Sequence, residues 1–174
     1  MWQDRRVRPA AAGQVTRPAV YYLAKTLRII MNNLDIIKEQ FKRDNFANKF
    51  KIVLDDVTET TVKAHMVLDL SSLNLFGRPH GGAIYALADA AFSVIGNNNN
   101  NLSVAVECNI SYQSSPDPGK TLHVEGRELS GSSKIGYYIF DIYVDEGGKK
   151  KTVATMTSVL YKTGKPIREA PKEE

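Results

Sequence analysis

The sequence predicts an α+β domain in which an antiparallel sheet of about six strands wraps around one long central helix. Three observations carry this prediction. A nearly all-apolar helical segment runs from Gly81 to Ile95, two segments with alternating apolar residues precede it, and four more follow it. Clusters of Pro, Gly, Asn and Ser separate the alternating segments and provide the turns between strands.

A helical extension precedes the first strand. Between residues 19 and 41, apolar side chains recur at spacings of four and three, as on one face of a helix; they are Leu23, Leu27, Ile30, Leu34, Ile37 and Phe41. Asn45 to Asn48 breaks this pattern. Such a helix is either a lid or dimer contact, or a cover over a sheet edge, and we favour the cover. We divide the chain into a basic arm with this helix (1–45), a core domain (46–165) and a flexible tail (166–174).

The strands follow from period-two alternation. We expect them at 50–54, 61–68, 103–112, 121–129, 135–144 and 152–161. The first two form a hairpin, and the Asn run at 97–101 separates the central helix from the third strand. In that third strand one face carries Val104, Val106, Cys108, Ile110 and Tyr112.

Composition bounds the class of protein. The chain has 174 residues, of which 43% are hydrophobic, enough for one ordinary core. A single cysteine, Cys108, excludes an internal disulfide and a Cys-rich zinc cage. No apolar run approaches the ~20 residues that span a bilayer, and no apolar stretch of a signal peptide follows the basic start. We therefore expect a cytoplasmic protein without membrane contact.

The positive charge belongs to the N-terminal arm. Six of the 23 Lys and Arg lie in residues 1–30 beside one acidic residue, so the remaining 144 residues hold 17 basic and 18 acidic side chains. The arm carries no groove-binding motif, and we predict no nucleic-acid partner. The three His lack ligand spacing, so we predict no metal.

Asp89 is the only ionisable side chain with a carboxyl group in the central helix. Burial of an unpaired carboxylate is costly, so it must be hydrogen-bonded, neutralised or kept for chemistry. Tyr85 and Ser93 lie one turn to either side, on the same helix face. Two interpretations stay open from the residues alone: a structural Asp bonded by Ser93 and a backbone donor, and a catalytic acid.

The start of this helix favours chemistry. Gly81 and Gly82 leave the backbone uncovered at a helix N-terminus, where N–H groups are unpaired and the dipole is positive. Such a site suits a developing oxyanion.

The chain resembles the hotdog-fold acyl-CoA thioesterases of the phenylacetic-acid-degradation (PaaI-like) family. The segments that carry the resemblance read NLFGRPHGG (74–82), ADAAF (88–92), ECNISY (107–112) and PGKTL (118–122). The resemblance implies that the Gly81 amide polarises the thioester carbonyl. It implies that Asp89 is the nucleophile or general base and that Asn74 positions the thioester or the attacking water. Further residues expected to border the substrate are Arg78, His80, Gly82, Tyr85 and Ser93.

The same resemblance implies the partners: an acyl-CoA substrate, no separate cofactor, and a homodimer that joins its sheets edge to edge, with two dimers pairing further into a homotetramer. The helix spacing points to a shared site, because eight residues at ~1.5 Å each separate Gly81 and Asp89 by ~12 Å. One thioester carbon cannot touch both. Alternative functions are a hotdog hydratase or dehydratase, which would use His80 with an acid, and a non-catalytic acyl-CoA-binding module.

Overall fold

The computed structural model describes residues 32–167. Two short helices come first, α1 (Asn33–Phe41) and α2 (Asn45–Lys49). The strands β1 (Val53–Val57) and β2 (Thr61–Val67) follow, then a 3-10 turn (Leu70–Ser72) and the central helix α3 (Gly81–Ile95). Four strands complete the fold: β3 (Asn101–Tyr112), β4 (Thr121–Gly131), β5 (Ile135–Asp145) and β6 (Lys150–Pro166).

The six strands form one antiparallel sheet in the order β1-β2-β4-β5-β6-β3. The sheet packs its inner face on α3. This is the predicted α+β hotdog architecture, and the prediction of its fold class is confirmed. No helix of the described part is long and apolar enough to cross a membrane.

The core lies between α3 and the sheet. Ten of the fifteen residues of α3 are buried, and five of them are alanines, whose small side chains let the sheet approach closely. The Phe92 ring packs at 5.5 Å from Tyr138 and 5.7 Å from Phe140. Burial of large aromatic side chains of this kind dominates the stability of such a core.

The N-terminal helices pack on the domain. Ile37 of α1 and Ala47 of α2 are buried in the same core, and both helices contact α3. Asn32 and Asp44 cap the two helices, because their side chains accept from the backbone of the first turn. The part of the predicted helical stripe before Asn32 lies outside the described residues, as does the tail after 167.

The first hairpin differs from the prediction. The segment that the sequence predicts to break the helical pattern, Asn45 to Asn48, belongs to α2. This helix ends through a turn in which Lys51 has φ 53°. Ile52 N–H donates to Ala47 at 2.9 Å within that turn. The first strand therefore begins at Val53, three residues later than predicted.

The predicted face of β3 is wrong at its N-terminal half. A β-bulge interrupts the pairing between Ala105 and Glu107. Cys108 lies opposite the buried Ser158 and faces α3, whereas Val104 lies opposite the exposed Tyr161 on the outer face. The extra residue shifts the alternation by one, so Val104 does not share the face of Cys108.

β3 is an edge strand. It pairs with β6 alone, and its other edge has no strand partner within the described residues. Several of its apolar side chains are exposed, Val106 by 63% and Val104 by 50%. An edge of this length with exposed apolar side chains is a surface on which another strand can pair.

Candidate active site

The N-terminus of α3 offers one free amide. The His80 ring caps the helix, since its Nδ1 accepts from Gly82 N–H at 2.8 Å. The His80 carbonyl accepts from the amides of the next turn. Among the described residues nothing accepts from Gly81 N–H. The imidazole cap thus occupies one glycine amide and leaves the other available to an incoming oxygen.

Tyr112 fixes the position of Gly81. Its hydroxyl donates to the Gly81 carbonyl at 3.0 Å, which ties the end of β3 to the start of α3. A Cβ on Gly81 would lie 3.4 Å from the Tyr112 ring. The sequence placed Tyr112 on the apolar face of its strand, but its contact with Gly81 depends on how helix and sheet pack and has no signal in the sequence.

Asp89 lies on the one stripe of α3 that the core leaves uncovered. The residues of that stripe are four apart: Gly81, Tyr85, Asp89 and Ser93. Among the described residues no donor bonds the Asp89 carboxylate, so a structural Asp held by Ser93 is not what this chain contains. Burial raises the pKa of Asp89, and the nearby Asp44 carboxylate raises it further.

The flanks of Asp89 are aromatic and polar. The Cys108 thiol beside Tyr85 raises the pKa of the Tyr85 hydroxyl, and burial raises it further. Ser93 is exposed one turn beyond Asp89, and its carbonyl accepts from the Asn97 side chain at 2.9 Å. Among the described groups that shift the pKa of Asp89 or Tyr85, none is cationic.

α3 is one uninterrupted helix, so the ~12 Å between Gly81 and Asp89 stands. Within one chain the free amide and the unpaired carboxylate do not meet around a single atom.

Asn74 organises the loop before α3. Its Oδ1 accepts from Phe76 N–H at 2.9 Å and from Arg78 N–H at 3.1 Å. Its own N–H donates to the Arg78 carbonyl at 2.7 Å. The side-chain NH₂ of Asn74 has no acceptor among the described residues. The amide group therefore holds the loop with its oxygen and keeps two donors for a ligand.

Arg78 is committed to structure. Its guanidinium bonds Ser115 Oγ at 3.3 Å and the Ser115 carbonyl at 2.9 Å. It also bonds the Pro116 carbonyl at 3.2 Å and pairs with Asp117 at 3.1 Å. These contacts anchor the loop before α3 to the segment after β3, so its role toward the substrate stays a prediction.

The other two histidines, His65 and His123, lie on the outer face of the sheet. His65 pairs with Asp55 at 2.7 Å, and His123 stacks on Tyr143 at 5.4 Å. Within residues 32–167 no group of three or more His, Cys, Asp or Glu is arranged to hold a metal ion.

Known proteins match both the sequence and the fold. Residues 76–151 match the Thioesterase superfamily. A protein of Archaeoglobus fulgidus described as a candidate esterase is 26% identical over 122 residues, which cover 70% of this chain and 77% of that protein.

Two solved structures illustrate the likeness in fold. The E. coli PaaI protein, from the phenylacetic acid degradation operon, superposes with a TM-score of 0.70 at 24% identity, over 75% of this chain and 93% of that one. A hypothetical thioesterase of Streptococcus pneumoniae with coenzyme A has a TM-score of 0.66 at 21% identity, over 74% and 98%. At these identities the superpositions establish the fold. Residues 76–151 are thus similar to the Thioesterase superfamily, and the described chain has the hotdog fold of the E. coli PaaI protein.

Proposed function

We propose that the protein is an acyl-CoA thioesterase, which hydrolyses a thioester to a free acid and coenzyme A. The observation that carries this proposal is the Asp89 carboxylate, which is half-buried on a core helix, accepts no hydrogen bond from the described residues and has a raised pKa. A carboxylate in this state costs stability, and a purely structural or binding role gives no reason for it. A raised pKa makes it a stronger base near neutral pH.

The roles follow from the free groups. The Gly81 N–H donates to the thioester carbonyl and stabilises the oxyanion, a contribution of ~2.7–4 kcal/mol in comparable sites. The Asn74 NH₂ donates to the carbonyl or orients the water. Asp89 removes a proton from that water, which attacks the carbonyl carbon, or attacks it directly. The tetrahedral intermediate then collapses and releases the CoA thiolate. Attack by water yields the free acid at once, whereas direct attack by Asp89 leaves a mixed anhydride, which a water molecule hydrolyses to the free acid and the regenerated carboxylate.

We propose that two protomers build each site. The ~12 Å between Gly81 and Asp89 along α3 prevents one chain from supplying both. Pairing of two β3 edges about a two-fold axis covers the exposed Val104 and Val106 and sets the two α3 helices antiparallel. Gly81 and Asn74 of one protomer then face Asp89 of the other. Pairing of two such dimers into a tetramer remains a prediction.

Coenzyme A enters as part of the substrate and as the leaving group. The Streptococcus pneumoniae protein was solved with coenzyme A, and a Streptococcus mutans protein with a TM-score of 0.61 was solved with acetyl CoA. Tyr85 and Ser93, which flank Asp89, border the reacting group in this proposal, while His80 and Gly82 shape the oxyanion turn.

A hydratase would need a histidine base. The Nδ1 of His80 accepts from Gly82 N–H, so that nitrogen is committed to the helix cap. The geometry favours hydrolysis.

The test is release of free thiol from a panel of aryl- and alkyl-CoA thioesters. Asp89→Asn keeps the volume of the side chain and should lower kcat by ~10²-fold or more, because the base is lost. Asp141→Asn on the outer face of β5 is the matched control and should retain the parent rate. If Asp89→Asn folds, dimerises and releases thiol at the parent rate, Asp89 is not catalytic. A flat baseline for the parent across the panel would favour the binding module.

A further inference from the structure

The loop before α3 ends in an apolar tip. Leu75 and Phe76 are 86% and 79% exposed, although each is large and hydrophobic. Turn tips are commonly polar, and adjacent exposed apolar side chains on an ordered turn usually contact a ligand or a partner. We call these two residues the loop tip.

The loop tip is rigid. Asn74 Oδ1 bonds the amides of Phe76 and Arg78, and Gly77 completes the turn with φ 71°. At the base of the loop Leu73 pairs with Pro79 as an isolated bridge. Arg78 ties the same loop to residues 115–117. Two apolar side chains are therefore held in place instead of folding back onto the surface.

The loop tip and the free amide belong to one unit. The His80 amide donates to the Ser72 carbonyl at 2.8 Å, so the residues on both sides of the loop are fixed to each other. Four residues lie between Phe76 and Gly81, so the Cα atoms of these two residues are at most about 18 Å apart. The loop tip is therefore an exposed apolar surface on the same rigid unit as the free amide, and only an acyl group of many carbons on a carbonyl at Gly81 N–H would extend towards it.

The chemistry around Asp89 limits what that group is. The titratable neighbours that act on its carboxyl group or on Tyr85 are Asp44, Cys108 and Tyr112, and none is cationic. A negatively charged acyl group would be repelled by two carboxylates and would find no counter-ion among these neighbours. An apolar group loses nothing there and gains contact with the tip.

We propose that Leu75 and Phe76 are specificity-determining residues that contact the acyl group and favour thioesters whose acyl group is apolar and uncharged. This rests on the proposed function, because it takes the thioester carbonyl to lie at Gly81 N–H. The loop tip comes from the protomer that supplies this amide, and it covers the acyl group bound beside Asp89 of the partner.

Binding of CoA thioethers tests the proposal without hydrolysis. S-octyl-CoA should bind the parent about tenfold or more tightly than S-ethyl-CoA, because each buried methylene favours binding. A thioether of the same length that ends in a carboxylate should bind no better than S-ethyl-CoA. In Leu75→Ser/Phe76→Ser, the octyl-to-ethyl ratio should fall to about threefold or less. Val67→Ser, an equivalent change at a half-exposed site on β2, is the control and should keep the parent ratio.

Three results overturn the proposal: a parent that does not distinguish the thioethers, a double variant that keeps the parent ratio, and a double variant that sediments as a monomer while the parent is a dimer. The last would make the tip a protomer contact. Thiol release from octanoyl-CoA is measured in parallel. A parent that discriminates the thioethers but releases no thiol refutes the proposed hydrolysis and leaves the role of the tip supported.

Discussion

Subunit mixing tests the shared site most directly. The structure recommends Asn74→Asp over truncation, because a carboxylate still accepts from Phe76 and Arg78 N–H and so preserves the loop, while the donating NH₂ is lost. The second variant is Asp89→Asn. Each homodimer lacks one component in both of its sites, so each should show about 1% of parent activity or less.

The fraction of activity that should return follows from the distance between Gly81 and Asp89 on α3. With Gly81 and Asp89 ~12 Å apart on α3, every site needs one protomer for Asn74 and Gly81 and the other for Asp89. Equal amounts of the two variants, unfolded and reassembled together, give dimers of which about half are mixed. A mixed dimer has one intact site out of two, so about a quarter of parent activity should return.

Thiol release measures the recovery, and native mass spectrometry measures the fraction of mixed dimers. Mixed dimers without recovered activity would place the whole site in one chain. Recovery well above one quarter would equally contradict the stated composition of the site.

Three further predictions concern stability, each measured by urea denaturation. His80→Ala removes the acceptor for Gly82 N–H and should cost about 1 kcal/mol, whereas His80→Asn, a good N-cap, should restore most of it; equal losses would contradict the cap. Asp89→Asn should be more stable than the parent at pH 8, because the raised pKa of Asp89 means that its charged form opposes folding. This difference in the free energy of unfolding should shrink as pH falls and the carboxyl group of the parent protonates. A difference that does not change with pH would refute this explanation. Gly126→Ala places a Cβ against Phe140 and 2.9 Å from Val62, so it should lower the free energy of unfolding by about 1–3 kcal/mol. An unchanged urea midpoint would show that the core rearranges to accommodate the added methyl group.

Local signals made the central helix predictable. The glycine pair at its start and the apolar run up to Ile95 are sufficient to define α3, and both of its predicted ends are confirmed. The bulge at Ala105–Glu107 is different, because it arises from the pairing of β3 with a strand about fifty residues later. A period-two pattern in one strand contains no information about where its partner loses register.

The candidate site also contains residues that the sequence indicates and residues whose contacts it does not reveal. Asp89 could be found because a charge in an apolar helix needs a physical reason, and Gly81 because a glycine at a helix start leaves the amide open. Tyr112 and Arg78 act through contacts made only after the chain folds, with Gly81 and with residues 115–117. The sequence therefore predicts Arg78 as a substrate-binding residue, but it does not reveal that the guanidinium group bonds a neighbouring loop.

The strand order has a consequence for the order in which the protein is made. β3 pairs only with β6, so residues 101–112 emerge from the ribosome with no strand to accept them until residues 150–166 have followed. At ~5–20 residues per second that interval lasts several seconds. Throughout this interval α3, in which ten of fifteen residues are buried in the folded domain, lacks the part of the sheet that covers one of its sides. The nascent protein is therefore most vulnerable to misassociation just before its last strand is synthesised, and agents that shield apolar helices should improve its yield most at that stage.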